Sequence, residues 1–134
     1  MKKRKRQLVD PLQFEMSIQA EDLSDYVPSF GWEMAPASDK QLKALEKFGI
    51  FPDEIDNAGK ASLLLDRLNK RRENGLSTPK QIRFLESRGF QHVGIWTFND
   101  ANSMISQIAN HHWTIPRGIK PALYVPNQTL NFGA

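Results

Sequence analysis

The sequence predicts an all-α protein whose centre is a pair of tandem helix-loop-helix repeats with a period of 40 residues. Three observations carry this. Residues 38–50 align without a gap on residues 78–90, and the match continues: Ile55 with Ile95, Ala61 with Ala101, Leu64 with Met104, Leu65 with Ile105, Leu68 with Ile108. A fixed offset of this size marks a repeated supersecondary unit. Each copy opens with a capping box, Ser38-x-x-Gln41 or Thr78-x-x-Gln81, in which the hydroxyl accepts from an orphan N–H and the Gln reaches back. Each first helix then meets a glycine, Gly49 or Gly89, the residue that takes a left-handed cap at least cost.

Taken in chain order, residues 1–37 read as an extended arm, basic and then acidic. Pro11, Pro28 and Pro36 interrupt it, Phe14, Tyr26, Phe30 and Trp32 are apolar anchors, and a single turn of helix is expected near residues 20–26. After Ser38, Leu42 and Leu45 give the first helix an inward stripe. Ala61, Leu64, Leu65 and Leu68 follow the i, i+3, i+4, i+7 spacing of one buried helical face, and that helix runs through Arg72 towards Gly75. Pro79 is tolerated at the first helical position of the next unit. Ile82 and Leu85, then Ala101, Met104, Ile105 and Ile108, repeat both stripes. The link at residues 73–77 is short, which makes consecutive helices neighbours. Four helices stacked as two hairpins over residues 38–113 are therefore expected, with Trp96, Phe98 and Trp113 as large core fillers. Pro116, Pro121 and Pro126 make residues 114–134 an extended tail.

Composition bounds the function. The chain has 134 residues, 40% hydrophobic and 25% charged, which suits one globular domain with tails. No apolar run is long enough for a membrane span, and none follows the basic N-terminus as a signal peptide would require. The absence of cysteine excludes disulfides, thiol chemistry and a cysteine-type zinc site, and it fits a cytoplasmic location. The net charge of +3 conceals a strong segregation. Residues 2–6 carry five positive charges, residues 7–37 six carboxylates and no Lys or Arg, and residues 60–90 eight cations against three carboxylates. Such blocks offer an anionic partner a local field.

No constellation of side chains suggests catalysis. Gly59-Lys60-Ala61-Ser62 has a Gly-Lys step at a helix start, but Glu54 occupies the place of the first glycine of a phosphate loop, and position 61 is neither Ser nor Thr. His92, His111 and His112 lack the further ligands a metal site needs. Asp53, Glu54 and Asp56 read as helix N-terminal charge. Gln41 and Gln81 could read adenine edges, but capping already accounts for both. No cofactor or metal is expected. The candidate site is the basic group Lys60, Arg67, Lys70, Arg71, Arg72, Lys80, Arg83 and Arg88, gathered around the junction of the repeats; cations sharing one face release counterions when they meet a nucleic-acid backbone. A solvated helical face is the competing explanation of the same residues.

The residues also resemble a known family. Phe30-Gly31-Trp32-Glu33-Met34-Ala35-Pro36, Ser38-Asp39-Lys40-Gln41, Phe48-Gly49-Ile50 and Ala58-Gly59-Lys60-Ala61-Ser62 are similar to the C-terminal extension of phage and bacterial DEAD/DEAH-box helicases. So are Thr78-Pro79-Lys80-Gln81-Ile82-Arg83-Phe84-Leu85, Gly89-Phe90-Gln91-His92-Val93-Gly94 and Trp113-Thr114-Ile115-Pro116-Arg117-Gly118, so that the resemblance covers residues 26–120. It implies that the chain is the tail of a larger ATP-dependent helicase, with ATP hydrolysis in upstream motor domains whose motifs are not in this sequence. No catalytic residue carries over.

The expectation is thus a non-catalytic, monomeric accessory domain that grips nucleic acid, with DNA the first candidate and the sequence not deciding between DNA and RNA, through phosphate contacts of little sequence preference. The alternative is a protein-interaction module that docks the helicase motor domains or a replication or repair protein. The acidic residues 7–37 could cover the basic face of the isolated chain as an autoinhibitory arm; deleting residues 1–37 would then tighten DNA binding for a masked nucleic-acid face and give no gain for a docking module.

Overall fold

The structure is a computed structural model and describes residues 8–126. Among them are seven α-helices: α1 Pro11–Ser17, α2 Glu21–Ser24, α3 Gly31–Met34, α4 Asp39–Lys47, α5 Ala58–Glu73, α6 Pro79–Ser87 and α7 Phe98–Asn110. Short 3₁₀ turns occupy Val93–Ile95 and Pro121–Leu123. Extended pairing among the described residues is confined to two isolated bridges, Val9 with Ile50 and Leu76 with Thr97.

The polar signals at the helix ends explain why α4 and α6 start and stop where they do. Ser38 Oγ accepts from Gln41 N at 3.1 Å while Gln41 Oε1 accepts from Ser38 N at 2.9 Å. Thr78 and Gln81 form the same pair at the same distances. Each Gln amide then does a second job. Gln41 Nε2 donates to Ala58 O (3.2 Å) and Gln81 Nε2 to Phe98 O (3.3 Å), so one side chain ties the start of each first helix to the start of its second. The backbone adds Ala58 N to Ala35 O (2.7 Å) and Phe98 N to Gly75 O (2.8 Å). Gly49 and Gly89 end α4 and α6 with φ of +88° and +99°, a conformation that costs other residues about 1 kcal/mol.

The α4–α5 and α6–α7 hairpins share one core, built on Leu45, Leu64, Leu68, Ile82, Leu85 and Met104, with Phe90 and Trp96 as the large fillers. Two expected fillers lie elsewhere. Phe98 stands at the exposed start of α7 and is 44% exposed, and Trp113 is 55% exposed. α7 ends at Asn110, and His112 and Trp113 then take left-handed φ values, which turns the indole outward against the edge of Phe84.

The extended arm expected before residue 38 is not what the chain forms. Its described part folds into α1, α2 and α3, and it belongs to the core: Phe14 is 1% and Leu23 0% exposed. Pro11, which suggested a break, is the first residue of α1, where the missing N–H costs nothing, and Asp10 caps that helix by accepting from Gln13 N (2.9 Å). Val9 exchanges backbone bonds with Gly49 O and Phe51 N, both at 2.7 Å, and so pins the segment to the end of α4. α3 packs on α5 at Gly59, where an added Cβ would collide with the Tyr26 hydroxyl and lie 2.7 Å from Glu33 Cβ. The C-terminal segment is anchored on the domain as far as Tyr124, whose ring meets Phe90 and Trp96 at 5.7 and 5.5 Å between centroids. The basic run at residues 2–6 and the last part of the tail lie outside the described residues.

Candidate nucleic-acid interface

The eight predicted cations do not form one free face. Lys60, near the start of α5, points back into the N-terminal segment. Its Nζ pairs with Glu15 Oε2 at 2.9 Å and donates to Leu23 O. Arg67, two turns on, pairs with Asp22 at 2.6 Å. Lys70 is exposed but meets Asp66 one turn earlier at 3.2 Å. Arg83 donates to Leu8 O at 2.8 Å and is half-buried against the N-terminal segment. Arg88, at the C-terminus of α6, lies over Phe84 at 4.9 Å, remote from the start of that helix. The physical reason is helical geometry. Residues 60, 67, 70, 71 and 72 ride on one helix whose successive positions are 100° apart, so a sequence cluster spreads around its circumference.

Arg71 departs furthest from expectation. It is 9% exposed, and its guanidinium donates to Ser77 O (3.1 Å), Ser77 Oγ (3.3 Å) and Gly94 O (2.8 Å). The ring of Phe14 lies 5.9 Å from Cζ. All three acceptors are neutral, no carboxylate pairs with it among the described residues, and Nε has no partner. Burial, and secondarily the charge of Arg67, pulls its pKa below the ordinary guanidinium value. This side chain therefore joins the end of α5 to the connector and to the loop before α7, and it does not reach solvent phosphate directly.

What the structure does bring together is a smaller group at the seam. A groove of about 530 Å³ runs between the hairpins, with Lys47, Phe48, Arg72, Leu76 and Phe98 on its walls and Leu68 and Arg71 beneath. Its charged lining is wholly cationic. Arg72 is exposed, stacks its guanidinium over Phe48 at 5.2 Å and donates to Asn69 Oδ1 at 3.0 Å. Lys80, from the first turn of α6, lies alongside the end of α4; a Cβ added to Gly49 would be 3.1 Å from its Cε. Lys47, Arg72 and Lys80 are exposed, and none has an ion-pair partner among the described residues. Sequence reasoning missed Lys47, Phe48 and the role of Phe98. Only the α4 terminus, which Gly49 already marked, could have placed Lys47 and Phe48 opposite the end of α5.

The acidic partners show where the field is cancelled. Glu15 is almost fully buried, its Oε2 has no polar partner but the Lys60 ammonium, and desolvation raises its pKa against the lowering effect of Lys60. Tyr26 donates to Glu33 Oε1, and that hydrogen bond pushes its pKa up to about 12. Ser29 N also donates to Glu33, at 3.1 Å. The first of these contacts ties α1 to α5 and the other two fix α3 to the loop before it; all are structural.

No group of three or more metal-ligating side chains converges among the described residues, and none of their helices is long and apolar enough to cross a membrane. Comparison with protein-family models, with curated proteins and with solved structures returns no match to this chain.

Proposed function

We propose that this chain is a non-catalytic accessory domain that binds nucleic-acid backbone at the seam between two hairpins derived from one duplicated unit. The observation that carries the reading is the groove wall itself: Lys47 and Arg72, with Lys80 beside them, present unpaired positive charge to solvent with no carboxylate in the lining. The cations that carboxylates already neutralise, Lys60, Arg67 and Lys70, drop out of the contact set. The resemblance of residues 26–120 to the tail of DEAD/DEAH-box helicases supplies the parent: an ATP-dependent motor, cytoplasmic and of phage or bacterial type, for which this domain adds grip on DNA. The bonds that recur at an offset of 40 residues, Gln41 to Ala58 and Gln81 to Phe98 among them, support the duplication.

The test is a titration with labelled DNA at several salt concentrations, comparing the chain with a triple variant Lys47→Gln, Arg72→Gln, Lys80→Gln. Each lost phosphate contact flattens the slope of log affinity against log salt by about 0.7–0.9, so the triple variant is expected to lose roughly two units of slope. An unchanged slope rejects the seam as the contact surface.

One observation favours a second reading. Phe30, Trp32 and Met34, on and beside α3, are all more than half exposed, a cluster of large apolar groups of the kind found at protein interfaces. A domain that docked the helicase motor through α3 would shift its Trp fluorescence on mixing with the motor, and Trp32→Ser would abolish that shift.

A further inference from the structure

The seam groove has features that phosphate contact does not require. Phosphates on a duplex sit on the outside of a cylinder and can be met by cations on an open face, with no enclosed pocket between them. Here the free cations rim a concavity whose volume, about 530 Å³, lies within the usual range of about 300–1,000 Å³ for small-ligand sites. Its walls carry two aromatic rings. Phe48 is half-buried beneath the Arg72 guanidinium, and Phe98 is 44% exposed at the first position of α7, so that its ring is open to the groove. Beneath them lies Arg71, nine-tenths buried, with no counter-ion and with Nε unpartnered. A buried guanidinium without an anion projects a positive potential through the low-dielectric wall of the groove, and an anion seated at the mouth relieves it.

We propose that this groove seats one unpaired nucleotide of a single strand. The base lies between Phe98 and the Arg72–Phe48 stack, and its phosphate rests on Arg72 and Lys47 above the buried charge of Arg71. A base paired within a duplex is stacked on both faces and cannot enter such a groove, whereas an unstacked base presents a π-face to aromatic rings and to guanidinium planes alike. The inference rests on the nucleic-acid reading above and makes it specific: the domain holds the strand that a helicase has already separated.

Fluorescence anisotropy on the full chain tests this with three probes: labelled oligo-dT, the same oligonucleotide with abasic sites, and a duplex of equal length. Oligo-dT is expected to bind at least tenfold more tightly than either of the others, the scale of one base–aromatic stack. Phe98→Ala should lose about that factor on oligo-dT, lose nothing further on the abasic strand, and keep the salt slope. Phe98 is exposed, so the substitution leaves the core intact; the abasic comparison in the unaltered chain reads the same contact without any substitution. If the abasic strand or the duplex binds as well as oligo-dT while affinity still follows Lys47, Arg72 and Lys80, the base contact is overturned and the backbone reading survives. If polyglutamate competes as effectively as oligo-dT, the groove takes any polyanion and the base contact is again overturned. If none of the three probes binds at low salt, both readings fall.

Discussion

At the scale of single residues, two buried charges set the character of this protein. Arg71 replaces a phosphate contact with three bonds to neutral oxygens, on Ser77 and Gly94. All three bonds come from one nitrogen, Nη2, and the ammonium of a lysine ends one bond nearer the backbone than that atom, so it falls short of acceptors spread over two loops. Arg71→Lys is therefore expected to cost about 2–3 kcal/mol in urea unfolding, the range for hydrogen bonds to a charged donor in a buried site. A loss under 0.5 kcal/mol would show that those bonds add nothing. Glu15 makes the opposite test. Its pKa in the folded protein is raised above the ordinary 4.5, by burial first. The folded state thus holds its proton more tightly than the unfolded chain does. The contribution of this group to stability is full below pH 4.5 and is lost as pH rises through the raised folded value. Compared with Glu15→Gln, the unaltered chain should become progressively less stable as pH rises above 4.5 and then level off once the raised folded value is passed. Unfolding curves at a series of pH values measure the difference; a difference that grows in favour of Glu15 with pH would mean that Lys60, not burial, dominates.

At the scale of elements, the sequence spoke clearly wherever local chemistry decides. The capping boxes of α4 and α6 and the glycines after them were legible because each uses residues at most four apart. Of the N-terminal helices, α2 falls where a single turn is expected near residues 20–26, but α1 and α3 were not legible, since a helix of four or seven residues contains too few turns to display a period, and prolines resemble interruptions even when one of them begins a helix. The amides of Gln41 and Gln81 show a subtler limit. The box was visible, but the bond across 17 residues to the next helix was not. That second bond can be isolated. Gln→Glu keeps an oxygen for the cap and removes the amide donor, leaving a carboxylate facing a backbone carbonyl. Gln41→Glu, at a half-buried site, should cost about 1 kcal/mol, and Gln81→Glu, buried, roughly 1–3 kcal/mol. Thermal or urea unfolding of the two variants gives the order. Equal and negligible losses would mean that the cap alone holds each hairpin.

At the scale of the whole molecule, the all-α class and the place of the hairpins could be read from periodicity, but the site could not. Whether a cation is free depends on partners far along the chain: Glu15 for Lys60, Asp22 for Arg67, Leu8 for Arg83. No local pattern encodes such pairs, which is why eight candidates reduce to a seam group in which Lys47 was unforeseen. The same long-range contacts change the meaning of the acidic segment. It does neutralise part of the basic surface, at Lys60 from within the core and at Arg67 from the surface, but the helices that carry it belong to the core, so it is not a cover that can lift away. Removing residues 1–37 takes out Phe14 and Leu23, each worth about 1.5–3 kcal/mol of burial, together with Val9 and the partners of Lys60 and Arg67. Against a total stability of about 5–15 kcal/mol for a domain of this kind, such a loss leaves little or nothing. The truncated chain should therefore lose its cooperative thermal transition and its near-ultraviolet circular dichroism, and any rise in DNA affinity should accompany that loss of structure. A truncated chain that melts sharply within a few degrees of the intact one, and binds DNA more tightly, would instead establish the N-terminal helices as a detachable shield over a self-sufficient pair of hairpins.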